Sequence, residues 1–138
     1  MKTLRRQSAA PDPSFLMGKA VRLVEDDPGQ VDIIRAMLLD SGSRLEAFTA
    51  CEPALDWLMR TPVDLILCDV MMPGLDGWEL HARIRGAGPN AGTPFIFTTC
   101  VINKNQEPLM SDLKARTLSL AKPFDKPTLL RTIRRLLG

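Results

Sequence analysis

The chain has 138 residues, 45% hydrophobic and 25% charged, with 9 Gly and 11 Pro, a composition typical of one soluble globular domain. Its longest apolar runs, such as Ala36–Leu39 and Leu65–Cys68, are far shorter than the ~18 residues of a membrane-spanning helix, and no apolar segment of secretion-signal length follows the basic start Met1-Lys2-Thr3-Leu4-Arg5-Arg6. The net charge of +2 comes from residues 1–19, which carry four basic groups (Lys2, Arg5, Arg6, Lys19) against Asp12, whereas the remainder is slightly acidic; this argues against a nucleic-acid-binding body.

Residues 1–19, rich in Pro, Ser and Ala, read as a flexible basic arm, and residues 20–138 as one domain. From Ala20 onward, short apolar stretches alternate with longer stretches of helical period. Strands are expected near 20–25, 44–49, 63–69, 94–99 and 117–121, and helices near 29–40, 52–60, 77–86, 108–115 and 125–137. The last helix is the clearest. Leu129, Leu130, Ile133, Leu136 and Leu137 share one face, Asp125 stands as a candidate N-cap, and Pro127 lies in the first turn. The helix near 108–115 is the weakest, because Asn103 to Glu107 is polar and Pro108 suits only a first turn.

Strict strand–helix alternation predicts an α/β fold, with right-handed crossovers and a parallel sheet covered by helices on both faces. The third strand (Val63, Leu65, Ile66, Leu67, Cys68) is almost continuously apolar, as a central strand should be. The second (Arg44 to Thr49) and the fifth (Leu118, Ser119, Leu120) alternate, as edges should. The expectation is a doubly wound, flavodoxin-like five-stranded sheet of order 2-1-3-4-5.

In such a sheet ligands bind beyond the carboxyl ends of the strands, where the order reverses between strands 1 and 3. Strand 1 runs into Glu25-Asp26-Asp27-Pro28-Gly29 and strand 3 into Asp69-Val70-Met71-Met72-Pro73-Gly74. Glu25, Asp26 and Asp69 should therefore converge, and a small all-oxygen cluster of repelling carboxylates suits Mg²⁺ (or Mn²⁺). Strand 4 ends in Thr98-Thr99-Cys100 and strand 5 in Ala121-Lys122-Pro123-Phe124, adding a hydroxyl and an ammonium to the same rim. A nucleophilic oxygen among cations is what in-line phosphoryl transfer requires. Each piece alone also reads as an ordinary turn or strand end; their order along one chain carries the inference.

The segments Val21-Arg-Leu-Val-Glu-Asp-Asp-Pro28, Asp64-Leu-Ile-Leu-Cys-Asp-Val-Met-Met-Pro-Gly-Leu-Asp-Gly77, Pro94-Phe-Ile-Phe-Thr-Thr99 and Ala121-Lys-Pro-Phe124 resemble the response-regulator receiver domain of two-component signalling, of the chemotaxis-regulator kind. The resemblance implies that Asp69 is the phosphoacceptor, and that Glu25, Asp26, Asp69 and the Met71 backbone carbonyl hold Mg²⁺. It also implies that Thr99 and Lys122 contact the phosphoryl group. It implies a cytoplasmic signalling protein rather than an enzyme, with a sensor histidine kinase or histidine phosphotransfer protein as donor and an unidentified effector protein downstream. Membranes and nucleic acid are not expected as partners.

Two positions depart from the family pattern. Ser119 stands where an aromatic switch residue is common, in a chain without Tyr, and Cys100 stands where a small Ala is common, narrowing access to the site. Because the last helix ends at the final residue, output is expected through partners; a fragment of a larger regulator or hybrid kinase and a phosphorylation-independent interaction module are the alternatives. A phosphohydrolase of the haloacid-dehalogenase kind would need an Asp where Met71 stands, and a flavin-type binder would not place Glu25-Asp26-Asp27 against a phosphate. His81 reads as a boundary histidine, Cys68 as core packing, and Arg131, Arg134 and Arg135 as a solvated face at a helix C-terminus. The three cysteines, odd in number and widely spaced, indicate neither a disulfide framework nor a structural zinc site.

Overall fold

The computed structural model describes residues 11–100 and 115–137. In chain order the elements are β1 (Ala20–Val24), α1 (Pro28–Met37), β2 (Arg44–Phe48), α2 (Cys51–Leu58), β3 (Leu65–Asp69), α3 (Gly77–Gly86), β4 (Phe95–Thr99), β5 (Thr117–Ala121) and α4 (Lys126–Leu137). The strands form one parallel sheet in the order β2-β1-β3-β4-β5, as expected. The helix expected near 108–115 falls almost wholly outside the described residues, and Ala115 itself lies in a turn.

Period-two alternation along the strands divides the core into two layers. Val21 and Leu23 of β1, Leu65 and Leu67 of β3, and Ile96 of β4 pack on one face against Val31 and Ile34 of α1 and Leu129, Leu130, Ile133 and Leu136 of α4. The opposite face is aromatic and sulfur-bearing, with Val24, Ile66, Cys68, Phe95 and Phe97 packed against Cys51, Ala54 and Leu58 of α2 and Leu80 and Ile84 of α3. At about 25 cal/mol per Å² of apolar surface, these two layers supply the main driving force for folding.

One expectation needs correction. The arm expected over residues 1–19 does not run that far, because Pro13–Leu16 form a 3₁₀ turn capped by Asp12, whose carboxylate accepts the Ser14 N–H at 2.9 Å. Leu16 is fully buried in the aliphatic layer, and the Arg134 guanidinium stacks over Phe15 at 5.4 Å. An apolar Phe-Leu pair inside a polar, Pro-rich stretch was enough to anchor it. β5 lies at the other edge of the sheet, as expected, with Leu118 and Leu120 buried and Ser119 half-buried between them. β2 is exposed or half-buried throughout, whereas Thr117 of β5 is also buried. The Thr117 hydroxyl is covered by His81 Nε2 at 2.9 Å and Arg85 Nη2 at 3.4 Å, so a polar residue faces inward with its hydrogen bonds made.

Candidate phosphoacceptor site

The helix starts aim the loops at the carboxyl edge of the sheet. Asp27 Oδ1 accepts the Gly29 N–H at 2.9 Å with Pro28 in the first turn, so α1 begins immediately after Glu25 and Asp26 leave β1. Asp76 Oδ1 likewise accepts the Glu79 N–H at 3.0 Å and starts α3. Between β3 and α3 the chain doubles back on itself. The Gly77 N–H donates to Val70 O at 2.9 Å, and a Cβ on Gly77 would lie 2.2 Å from Asp69 O, so only glycine fits there. Asp125 Oδ1 accepts the Thr128 N–H at 2.9 Å at the start of α4, the role expected of it.

Glu25, Asp26 and Asp69 do converge: each offers a carboxylate oxygen within 4.8 Å of the others. Glu25 is buried, Asp69 half-buried and Asp26 exposed. Lys122 reaches in from the end of β5, its ammonium donating to Glu25 Oε1 and, at 3.1 Å, to Asp69 Oδ2. The other Asp69 oxygen, Oδ1, accepts the Met71 N–H at 3.1 Å, and Glu25 Oε2 accepts the Asp27 N–H at 3.2 Å. Burial pushes the Glu25 carboxyl above its ordinary range, and the Lys122 hydrogen bond only partly offsets this. For Lys122, burial pulls the other way, but its hydrogen bonds to Glu25 and Asp69 prevail and hold the ammonium charged. With one ammonium among three carboxylates the formal sum is −2, and every donor is a hard oxygen, so the set fits a small divalent cation.

These residues open into a cleft of about 470 Å³, lined on one side by Asp26, Asp69 and Lys122 and on the other by Ile33, Met37 and Phe124. Cys100 lies on its rim, exposed. Thr99 is at the end of β4 beside Ala121, its carbonyl accepting the Lys122 N–H at 2.8 Å, but its side chain is buried and is not part of the cleft lining. Its neighbour Thr98, paired with Asp69 across the β3–β4 ladder, carries the buried side-chain oxygen that lacks a hydrogen-bond partner among the described residues.

Sequence reasoning overlooked Glu52. From the first turn of α2 its Oε1 accepts the Leu75 N–H at 2.7 Å and so pins the β3–α3 loop, in which Gly74 adopts φ +74°. An acid in the first turn of a helix is commonplace, and nothing in the sequence tied it to a loop 23 residues away. The residues given structural roles fall as expected: His81 is packed edge-on against Phe95, Cys68 is buried, and Arg131, Arg134 and Arg135 are exposed.

Residues 21–134 match the family model of the response regulator receiver domain. The chain belongs to the response-regulator receiver family. A receiver domain of the sensor histidine kinase PA1611 from Pseudomonas aeruginosa, solved with a magnesium ion coordinated in its active-site cleft, is 31% identical, with a TM-score of 0.76 over 88% of this chain and 98% of that one. The chemotaxis protein CheY4 of Vibrio cholerae superposes with a TM-score of 0.76 at 25% identity, over 86% of this chain and 98% of its own. Among curated relatives, an uncharacterized 14.6 kDa protein of Leptolyngbya boryana is 32% identical over 82% of this chain and 86% of its own length. The transcriptional regulatory protein YbdJ of Bacillus subtilis is 30% identical over 88% of this receiver chain, which covers 52% of YbdJ. The chain thus spans about half the length of several of the regulators it matches. Among the described residues, no helix of this receiver is long and apolar enough to cross a membrane.

Proposed function

We propose that residues 20–138 act as a cytoplasmic receiver that accepts a phosphoryl group on Asp69 from the phosphohistidine of a sensor kinase or phosphotransfer protein, then signals through protein contacts. One observation carries the reading. Asp69 lies within 4.8 Å of two further carboxylates and within 3.1 Å of an ammonium that is itself anchored on buried Glu25. A carboxylate oxygen of Asp69 attacks phosphorus, the P–N bond to imidazole breaks, and the departing nitrogen keeps the bonding pair and takes up a proton; an acyl phosphate remains. Lys122 balances negative charge on the transferred group, and Thr99 donates its hydroxyl to it once drawn toward the rim. Glu25, Asp26, Asp69 and the Met71 carbonyl would hold Mg²⁺ or Mn²⁺, which supplies charge neutralisation for the entering anion.

No turnover of an external substrate is assigned to this chain beyond gain and loss of its own phosphoryl group. Ser119, half-buried on β5, favours a second reading: an interaction module whose partner ignores phosphorylation. Intact-mass measurement after incubation with acetyl phosphate and Mg²⁺ separates the two. One added phosphoryl group is expected, absent in Asp69→Asn and lost when the metal is chelated; a modified Asp69→Asn variant, or labelling indifferent to chelator, overturns the assignment.

A further inference from the structure

The loop that joins β3 to α3 starts at Asp69 and carries Met71, whose carbonyl is part of the proposed metal set. Two hydrogen bonds fold this segment back onto the end of β3: the Met71 N–H donates to Asp69 Oδ1 at 3.1 Å, and the Gly77 N–H to Val70 O at 2.9 Å. A further pair of contacts reaches the loop from the first turn of α2. Buried Cys51 places its Sγ 3.8 Å from Met72 Sδ, and Glu52 Oε1 accepts the Leu75 N–H at 2.7 Å. These two grips fall on either side of Pro73 and Gly74. Gly74 has φ +74°, and a Cβ on it would lie 2.7 Å from Glu52 Oε1, so the loop brings bare backbone against the carboxylate. The bond is charge-assisted: the Leu75 N–H holds the Glu52 carboxyl below its ordinary range and keeps the acceptor ionised at neutral pH.

We propose that Glu52 is a positioning residue for the phosphoacceptor site, holding Leu75 so that the loop presents the Met71 carbonyl and N–H at the end of β3. A metal ligand carried on a loop serves best when the loop is already in place, because ordering it on binding subtracts from affinity. Glu52 supplies that order from a helix outside the loop and fixes the bend beyond Met71. Without the bond, the loop keeps the Met72 contact and its two ties to β3, and it opens more often. Because the bond is exposed to water, its loss loosens the site without dismantling it. The positioning role rests on the phosphoacceptor reading, whereas the hold on the loop does not.

The test compares the full chain with three variants. Glu52→Ala removes the acceptor, and Glu52→Gln keeps an acceptor oxygen without the charge. Asp56→Ala removes an exposed acid one turn further along α2, which pairs with Arg60 at 2.8 Å. In metal-free Glu52→Ala, amide exchange is expected to quicken severalfold at Leu75, Met71 and Gly77, and calorimetric titration with Mg²⁺ to show severalfold weaker binding. Glu52→Gln should restore most of both, and Asp56→Ala should match the wild type.

Faster exchange confined to Leu75, or unchanged Mg²⁺ affinity, overturns the positioning role. So does a Glu52→Gln variant as impaired as Glu52→Ala, or an Asp56→Ala variant that weakens Mg²⁺ binding equally. Wild type that binds no Mg²⁺ and gains no phosphoryl group from acetyl phosphate overturns the phosphoacceptor reading instead, while exchange at Leu75, Met71 and Gly77 still decides whether Glu52 holds the loop.

Discussion

The two ends of the sheet use polar side chains in opposite ways. At the amino end, Asn90 is buried with its hydrogen bonds made: Oδ1 accepts from the Val63 N–H and the Thr93 hydroxyl, each at 2.9 Å, and Nδ2 donates to Leu58 O at 2.7 Å and Thr61 O at 2.8 Å. Nearby, Asp64 Oδ2 accepts the Ala20 N–H at 2.7 Å. At the carboxyl end, three carboxylates converge and one ammonium bonds two of them, Glu25 and Asp69; burial pushes the Glu25 carboxyl toward its neutral form. The first arrangement closes the fold, because its polar side chains find their hydrogen-bond partners in backbone groups and a neighbouring hydroxyl. The second leaves charge uncompensated, which costs stability and is useful only where a further ion or an anionic group is to be bound.

That contrast can be broken in graded ways, of which Asn90→Ala should have the largest effect. It strands the Val63 N–H and two carbonyls in a buried position, at a cost of about 3 kcal/mol. Urea denaturation would show it, and a loss below about 1 kcal/mol would mean that water replaces the amide. His81 sharpens the comparison on the aromatic face, where burial, reinforced by Arg85, lowers its pKa from 6.5 to about 4. The folded state resists protonation while the unfolded state accepts it. Stability should therefore be complete above pH 6.5 and fall by about 2–3 kcal/mol as pH drops toward 4. His81→Phe should flatten that slope; an unchanged slope assigns it to other groups.

At the charged rim, Mg²⁺ should stabilise the native state by about 1.4 kcal/mol when present at about ten times its dissociation constant. Asp26→Asn should reduce that response while relieving repulsion in metal-free protein. Equal metal-induced shifts in melting temperature for both proteins would place binding elsewhere. The smallest effect is expected at Thr98→Val, a near-isosteric change that removes the unpartnered buried hydroxyl and should raise stability by up to about 1 kcal/mol. Destabilisation would show that the hydroxyl has a partner in solution.

Much of the fold was legible because its signals are local and periodic. The apolar run Leu65–Cys68 marked a central strand, the alternation in Arg44–Phe48 marked an edge, and Asp125 with the leucines of α4 marked a capped amphipathic helix. The convergence of Glu25, Asp26, Asp69 and Lys122 was also foreseeable. Once strands run parallel in a known order, whatever ends them must share one rim.

Contacts between elements distant in sequence were not legible. Leu16 anchoring the end of the basic arm, Glu52 pinning Leu75, His81 covering Thr117 and Cys51 meeting Met72 each join residues whose separate surroundings give no hint of the partner. Side-chain period and strand-end chemistry belong to the chain itself, so the sequence determined the sheet, its order and the residues at its rim. Which hydrogen bonds those residues make depends on how two helical layers settle against the sheet, with side chains choosing among rotamers under close packing. Only the tertiary structure decided that Lys122 holds Glu25 and Asp69 together, that the Thr99 side chain is buried, and that the Cys68 thiol donates to the backbone carbonyl of Asp69.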